Sequence, residues 1–275
     1  MKVLELFSGT HSIGKVAHSL GWEVVSLDRD LKGSCPFGSG YESDMHIQED
    51  IMTWDYKKDF NKGDFDIITA SPVCLWWSKL RDVWTGIRNR KIKGMDRFLT
   101  KEDIENDIEK FGKPMVDKVF EIIDYFKPKY WWIENPATGK MKNYIIDKPF
   151  YIIDYCKYSN WGYQKRTIFW TNIEGFKPLL CKKDCENIIT IPTQEGAMHV
   201  GYKKLIKAST RTLHKNPIGQ SNKAKPKKKS EMHKVSLGSW GKKGTSQTGV
   251  GSGNNRLERY RIPEKLIEDL FLCII

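Results

Sequence analysis

The chemistry available to this sequence rests first on Cys74, in Ser71-Pro72-Val73-Cys74, and on Glu134, in Glu134-Asn135-Pro136. The segment beginning at Ser71 follows the apolar run FDIITA directly, which places Cys74 at the carboxyl end of a strand, where open α/β sheets hold their sites. A thiolate there acts as a nucleophile when nearby positive charge or a helix N-terminus lowers its pKa. The competing reading is a buried, inert thiol. Glu134 closes the apolar run YWWI and should project from the same sheet edge, where a carboxyl beside a thiol supplies an acid for a ring nitrogen. Its competing reading is an ordinary strand-ending turn, with Pro136 as punctuation.

A second group could hold a nucleotide-like ligand. The first apolar run, VLELF, ends in Phe7-Ser8-Gly9-Thr10-His11-Ser12, a small-residue turn opening a helix. It lacks the spacing of the dinucleotide fingerprint. Asp28 ends the second run, VVSLD, where an acid commonly binds ribose hydroxyls. Asp50, in QEDIM, follows the expected third strand. Either acid alone also reads as a surface carboxylate.

These residues need an alternating framework, and the N-terminal half supplies one: VLELF, a helical pattern near Ile13 to Leu20, EVVSLD, then FDIITASP. Such alternation predicts an α/β fold with a parallel sheet wound by helices. Apolar residues at spacings of three and four from Ile104 to Phe126 predict a buried helix face, broken or kinked early by Gly112 and Pro114. After YWWIENP, the stretch from Tyr151 to Asn172 reads as two strands joined by a turn. RIPEKLIEDLFLCII reads as a helix docking back on the main domain, with Pro263 at its start. The organisation expected is a main domain over 1–175, a small basic recognition segment over 176–252, and a C-terminal helical segment over 253–275.

The chain of 275 residues carries a formal charge of +12. Residues 201–245 hold twelve Lys and one Arg against Glu231, so that stretch equals the whole net charge. A charge excess so confined points to a polyanionic partner, or, more plainly, to a solvated basic loop. The mixed stretch Trp76-Trp77-Ser78-Lys79-Leu80-Arg81, with Trp84 and Arg88-Asn89-Arg90-Lys91, suits a loop closing over nucleic acid. Trp76 and Trp77 read equally as core. The six cysteines are scattered, which makes reduced thiols the default. Cys181 and Cys185, with His199 or His214, have loose zinc spacing, and two unrelated surface thiols with no metal are expected. No run approaches the roughly 18 apolar residues of a membrane span, so a soluble, intracellular monomer without membrane contact is expected.

FSGTHSIG, SLD, EDI, SPVC, WIENP and YQKRTIFWTN come in the order and rough spacing of the cytosine carbon-5 DNA methyltransferases. Residues 1 to about 172 resemble that family, and the short C-terminal part is similar to its compact phage- and virus-encoded members. The resemblance implies a Rossmann-like fold using S-adenosylmethionine as cofactor and DNA as partner, in a nucleic-acid-containing compartment of the host cell. It implies that Phe7, Ser8, Gly9, Thr10, His11 and Ser12 line the methionine part of the cofactor, with Pro72 also at its site. Asp28 would take the ribose and Asp50 the adenine. Cys74 would be the nucleophile adding to carbon 6 of a flipped base, and Glu134 would hydrogen-bond or protonate N3. Arg166 matches the first arginine of the family's Gln-x-Arg-x-Arg element, which helps hold the base and the acid. A basic strand residue otherwise reads as a surface snorkel.

The sequence departs from the family pattern at His11 and Ser12, where glycines are common, and at Val73 and Leu75 on either side of the nucleophile. It departs again at Pro136 and at Ile168, where the second arginine would stand. Two rival functions follow: an RNA methyltransferase of the same fold, and a degenerate member that only binds nucleic acid.

Overall fold

The computed structural model describes residues 1–30, 41–86, 97–193, 209–214 and 260–275. In chain order the elements are β1 (Lys2–Leu6), α1 (Ser12–Ser19), β2 (Glu23–Leu27), β3 (Met45–Ile47), α2 (Tyr56–Asp59), β4 (Ile67–Ala70), α3 (Lys101–Asp107), α4 (Lys113–Phe126), β5 (Tyr130–Pro136), β6 (Phe150–Asp154), β7 (Arg166–Thr171), β8 (Ile188–Thr193), β9 (Ser209–His214) and α5 (Glu264–Phe271). The chain divides into two compact units. The larger holds Met1–Ile153, Arg166–Pro178 and Tyr260–Ile275, and the smaller holds Asp154–Lys165 and Leu179–Arg259. Asp154–Lys165, expected to join two strands of the main domain, groups with the smaller unit.

A seven-stranded sheet in the order β3-β2-β1-β4-β5-β7-β6 forms the larger unit. The first five of these strands pair in parallel, and β7 runs antiparallel to β5. The chain leaves β1 towards β2 on one side and returns through β4 on the other. That reversal opens a crevice at the carboxyl ends of the parallel strands.

Both faces of the sheet are covered, which is why its strands are apolar almost throughout. On one face Leu4, Leu6, Ile68 and Ile133 belong to the core that includes Val116, Val119, Ile122 and Phe126 of α4. On the other, Phe271 of α5 sits with its ring 4.6 Å from Trp22 and 5.6 Å from Trp132. The Ile262 N–H donates to the Ser12 hydroxyl at 3.1 Å, which fixes the segment before α5 against the start of α1.

The helical stretch expected to break or kink near Gly112 and Pro114 widens there without ending. One π turn, Ile108–Gly112, joins α3 to α4, and Pro114 lies in the first turn of α4. Proline has no N–H to return to the preceding turn, and a wide turn accommodates that loss without ending the helix. Gly112 is needed for a different reason: a Cβ there would meet Trp77 Cζ2 at 3.0 Å.

Candidate active site

The first wall of the crevice is the turn after β1. Phe7, Gly9 and His11 all adopt positive φ, at 57°, 45° and 52°. For a non-glycine residue that conformation costs about 1–3 kcal/mol and persists only where the surroundings impose it. Here they do: the Ser8 N–H donates to the Leu27 carbonyl at 3.1 Å, and the Gly9 N–H donates to Asp28 Oδ2 at 3.0 Å. Asp28, half-buried at the end of β2, therefore braces the turn.

Glu5, whose functional role sequence reasoning missed, holds the turn from below. Its side chain is buried within β1 and accepts the N–H groups of Ile13 at 3.1 Å and Gly14 at 3.2 Å. A Cβ on Gly14 would lie 2.7 Å from Glu5 Oε2, so only glycine permits that approach. The available signal was an acid in the middle of an apolar strand, two residues before a turn. The consequence is chemical: a carboxylate already occupies the helix N-terminus where a pyrophosphate would sit in a dinucleotide site. Together with Asp28 and Asp50 it makes this wall acidic, which suits a cofactor without phosphate that carries a cationic sulfonium and ammonium. Ser8 Oγ is buried and has no hydrogen-bond partner among the described residues, leaving it able to serve a ligand.

Not every residue of the turn faces outward. His11 is wholly buried, with its Nδ1 3.3 Å from Ser26 Oγ and its ring beside Tyr41 and His46. The Ser12 hydroxyl lies 2.8 Å from that of Thr10 and accepts from Ile262. Asp50 is half-buried in the turn after β3, and takes the Met52 N–H at 3.0 Å and Arg29 Nη1 at 3.2 Å. Hydrogen bonds donated to Asp30 and then to Asp50 hold the Arg29 guanidinium more firmly protonated than usual.

The second wall is the loop after β4. Ala70 pairs with Ile133 in the β4–β5 ladder, which brings Ser71-Pro72 and Glu134-Asn135 to one edge. Asn135 Nδ2 donates to the Pro72 carbonyl at 2.9 Å, a buried bond that fastens the loop carrying Cys74 to the end of β5. Cys74 itself is half-buried, and its carbonyl takes the Trp77 N–H at 3.2 Å. Glu134 is buried, with 6% of its surface exposed, and pairs with Phe169 of β7. The register thus brings the loop that carries the Cys74 thiol to the strand end that carries the Glu134 carboxyl.

Arg166 begins β7 at that edge and is exposed. Its backbone carbonyl accepts the Ala137 N–H at 3.0 Å, so its ladder neighbour is Ala137 and not Glu134. Strand alternation gives it the face of Ile168 and Trp170, whereas Glu134 shares the other face with Phe169. With Lys79, Lys142, Phe150, Ile168 and Trp170 it lines an open groove of about 610 Å³.

The aromatic and basic stretch after Cys74 divides. Trp77 is core, stacked on Tyr144 with ring centroids 5.8 Å apart. Trp76 stacks on Phe111 at 4.9 Å, and Arg81, buried and ion-paired with Asp107, lies 5.4 Å over its ring. Of the two readings open for Trp76 and Trp77, packing is the one found, and with Arg81 they hold the loop onto the α3–α4 region. Arg88, Arg90 and Lys91 lie outside the described residues, as does the lysine-rich stretch except for 209–214.

The expectation of two unrelated surface thiols at Cys181 and Cys185 is corrected. Cys181 is buried, Cys185 is half-buried, and their sulfurs with that of buried Cys156 all lie within 4.8 Å of one another. No local pattern announces Cys156, which stands 25 residues before Cys181. Burial pushes the Cys156 thiol well up. For Cys181 burial acts in the same sense, but the backbone N–H groups of Asp184 and Lys183 and the neighbouring thiols outweigh it and the net shift is down. His199 lies outside the described residues, and His214 ends β9.

The wound sheet, its reversal at β1 and β4, and the braced acidic turn together define a Rossmann-like methyltransferase fold. No protein-family model matches the chain. The chain is 40% identical over 203 residues to a "Probable DNA (cytosine-5)-methyltransferase" of Frog virus 3 (isolate Goorha), a match covering 73% of this chain and 85% of the viral one. It belongs to the DNA (cytosine-5)-methyltransferase family. Among solved structures it is similar to a triple mutant of Spodoptera frugiperda DNMT2, at 15% identity and a TM-score of 0.37, over 65% of this chain and 53% of that one. Among the described residues, no helix is long and apolar enough to cross a membrane.

Proposed function

We propose that this enzyme transfers the methyl group of S-adenosylmethionine to carbon 5 of cytosine in DNA, with Cys74 as covalent nucleophile. The observation that carries the reading is that the loop bearing Cys74 and the strand end bearing Glu134 lie at one sheet edge, with β4 and β5 in register and the loop fastened by Asn135 to Pro72. The acidic wall beside it fits the cofactor: Phe7 to Thr10 with Pro72 would line the methionine part, with His11 and Ser12 behind them supporting the turn, Asp28 would take the ribose and Asp50 the adenine. When bound, S-adenosylmethionine supplies an electrophilic methyl group on a sulfonium.

The chain's own residues prepare the base. Cys74 Sγ, as thiolate, forms a bond to carbon 6, and Glu134 stabilises or protonates N3, which leaves electron density on carbon 5 for the methyl group. After transfer the carbon-5 proton is lost to a base, the electrons return to the ring, and the Cys74 bond breaks to regenerate the thiolate. The base must leave the duplex to reach this edge. Arg166, Lys79 and Lys142 add positive charge at the adjoining groove, suited to the phosphate backbone.

The test incubates the protein with tritiated S-adenosylmethionine and DNA carrying 5-fluorocytosine, whose carbon-5 fluorine blocks elimination. A denaturant-resistant adduct that disappears in Cys74→Ala supports both the reaction and the nucleophile. An adduct on RNA and none on DNA would replace the substrate, and none on either would overturn the reading.

A further inference from the structure

The smaller unit contains a cluster that the methyl-transfer reading does not use. Cys156 lies in the turn after β6, and Cys181 and Cys185 bracket the turn Lys182-Lys183-Asp184, where Lys183 adopts φ 65°. Their three sulfurs lie within 4.8 Å of one another and are the one such group of potential metal ligands among the described residues. Sulfurs bound at 2.3 Å to one tetrahedral zinc stand about 3.8 Å apart. The side chains therefore need to close by about 1 Å at most.

We propose that Cys156, Cys181 and Cys185 form a structural site for a soft divalent cation, zinc by preference, that fastens the smaller unit. The surroundings are built for thiolates. The Lys183 N–H donates to Cys181 Sγ at 3.3 Å, and a left-handed residue inside the Cys181–Cys185 turn directs backbone N–H groups towards the sulfur. Lys157 pairs with Asp184 at 3.1 Å, and Lys182 and Lys183 stand in the same turn. Three thiolates and one divalent cation carry a net charge of −1, which these lysines offset. Each thiol yields its proton to solvent as the cation binds.

The scaffold around the cluster is anchored independently of the sulfurs. Asp154, fully buried, accepts the Cys181 N–H at 2.8 Å. Asn187 donates to the carbonyls of Cys156 at 3.0 Å and Ser159 at 2.8 Å, and accepts the Gly162 N–H at 3.0 Å. These bonds bring two loops together from segments more than twenty residues apart. A cation at their crossing explains three converging thiols where two apolar side chains would pack as well. Small units with little core commonly depend on such a metal. Soft thiolate donors favour zinc over magnesium or calcium, and the fourth position is open to water or to a residue beyond this cluster.

The test is the metal content of the full-length protein, expressed with zinc and purified without chelator. One zinc per chain is expected in the wild type and in Cys273→Ser, whose thiol is exposed at the C-terminal helix. Loss of nearly all zinc is expected in Cys156→Ser, Cys181→Ser and Cys185→Ser. Because these variants can lose their fold as well as their metal, the wild type is also stripped and titrated with cobalt(II), and a thiolate-to-cobalt charge-transfer band saturating at one equivalent is expected. A wild type holding no zinc, with no such band, overturns the site. So does a disulfide between any two of the three cysteines in the freshly purified protein. None of these readouts depends on methyl transfer.

Discussion

Replacing Asn135 by alanine tests whether the placement of Cys74 depends on its loop being fastened to β5. Asn135 is 1% exposed, and its Nδ2 bond to the Pro72 carbonyl is a buried side-chain link between the end of β5 and the loop that carries Cys74. Alanine leaves that carbonyl, also inside the protein, without its donor, at a cost of about 1–3 kcal/mol. The vacated amide volume adds about 1 kcal/mol, for a total of about 2–4 kcal/mol. A loop so released lets Cys74 drift, and a misplacement of about 1 Å at a reacting centre lowers the rate on the order of 100-fold. The cofactor turn after β1 does not use this bond, and of the residues assigned to the cofactor only Pro72 lies on the released loop, so KM for S-adenosylmethionine should rise much less than kcat falls. Asn135→Asp, which turns an acceptor towards the same carbonyl, should lose at least as much. Initial rates of tritium transfer at saturating DNA, with urea unfolding of each variant, provide the readings. An alanine variant that loses stability as stated but keeps its kcat would show that the loop is held elsewhere, and the positioning argument would be wrong.

Two further outcomes follow from the frame. Phe271→Ala removes a ring packed between Trp22 and Trp132 and should destabilise the larger unit by about 3–5 kcal/mol, read as a lower urea midpoint, with Phe271→Leu recovering most of it. Arg97, then the Thr100 N–H and hydroxyl, hold the Asp103 carboxyl well below the usual carboxylate range. A depressed folded pKa stabilises above the unfolded value, near about 4, and that stabilisation fades as pH falls through the folded one. The gap in urea midpoint between wild type and Asp103→Asn should therefore be wider at pH 6 than at pH 2.5, and an equal gap at both would count against the Arg97 contact.

Much of this architecture is written locally. Alternating apolar runs and helical spacings identify β1, α1, β2, β4, α4 and α5, because a parallel sheet buried on both faces requires apolar strands and covering helices. Cys74 and Glu134 are legible because each ends such a run, and ladder register then brings neighbouring run-ends together. The fate of the side chains around them is less legible. Trp77 reads equally as core or as a nucleic-acid surface in one dimension, and the approach of α3 and α4, with Gly112 against its ring and Arg81 paired to Asp107, decides for core. Arg166 is placed by motif next to the acid, yet alternation along β7 assigns it to the other face, a distinction that depends on pairing register and so on residues thirty positions away.

Glu5 and Cys156 were missed for a related reason, and the two cases separate what patterns report from what geometry adds. Glu5 violates its strand, and a violation is a signal: a buried acid needs donors, and the free N–H groups at the start of the next helix supply two of them. The same bonds that satisfy Glu5 close that helix end to phosphate, so one misplaced charge predicts which cofactors the crevice refuses. Cys156 violates nothing, since a buried cysteine is ordinary in apolar company. Its meaning lies wholly in Cys181 and Cys185, which reach it through the bonds of Asp154 and Asn187, and no spacing rule anticipates a partner brought in by a fold. A residue that breaks its local pattern can be interpreted from sequence, whereas one that fits its pattern and still converges with two others becomes informative only when the chain is folded.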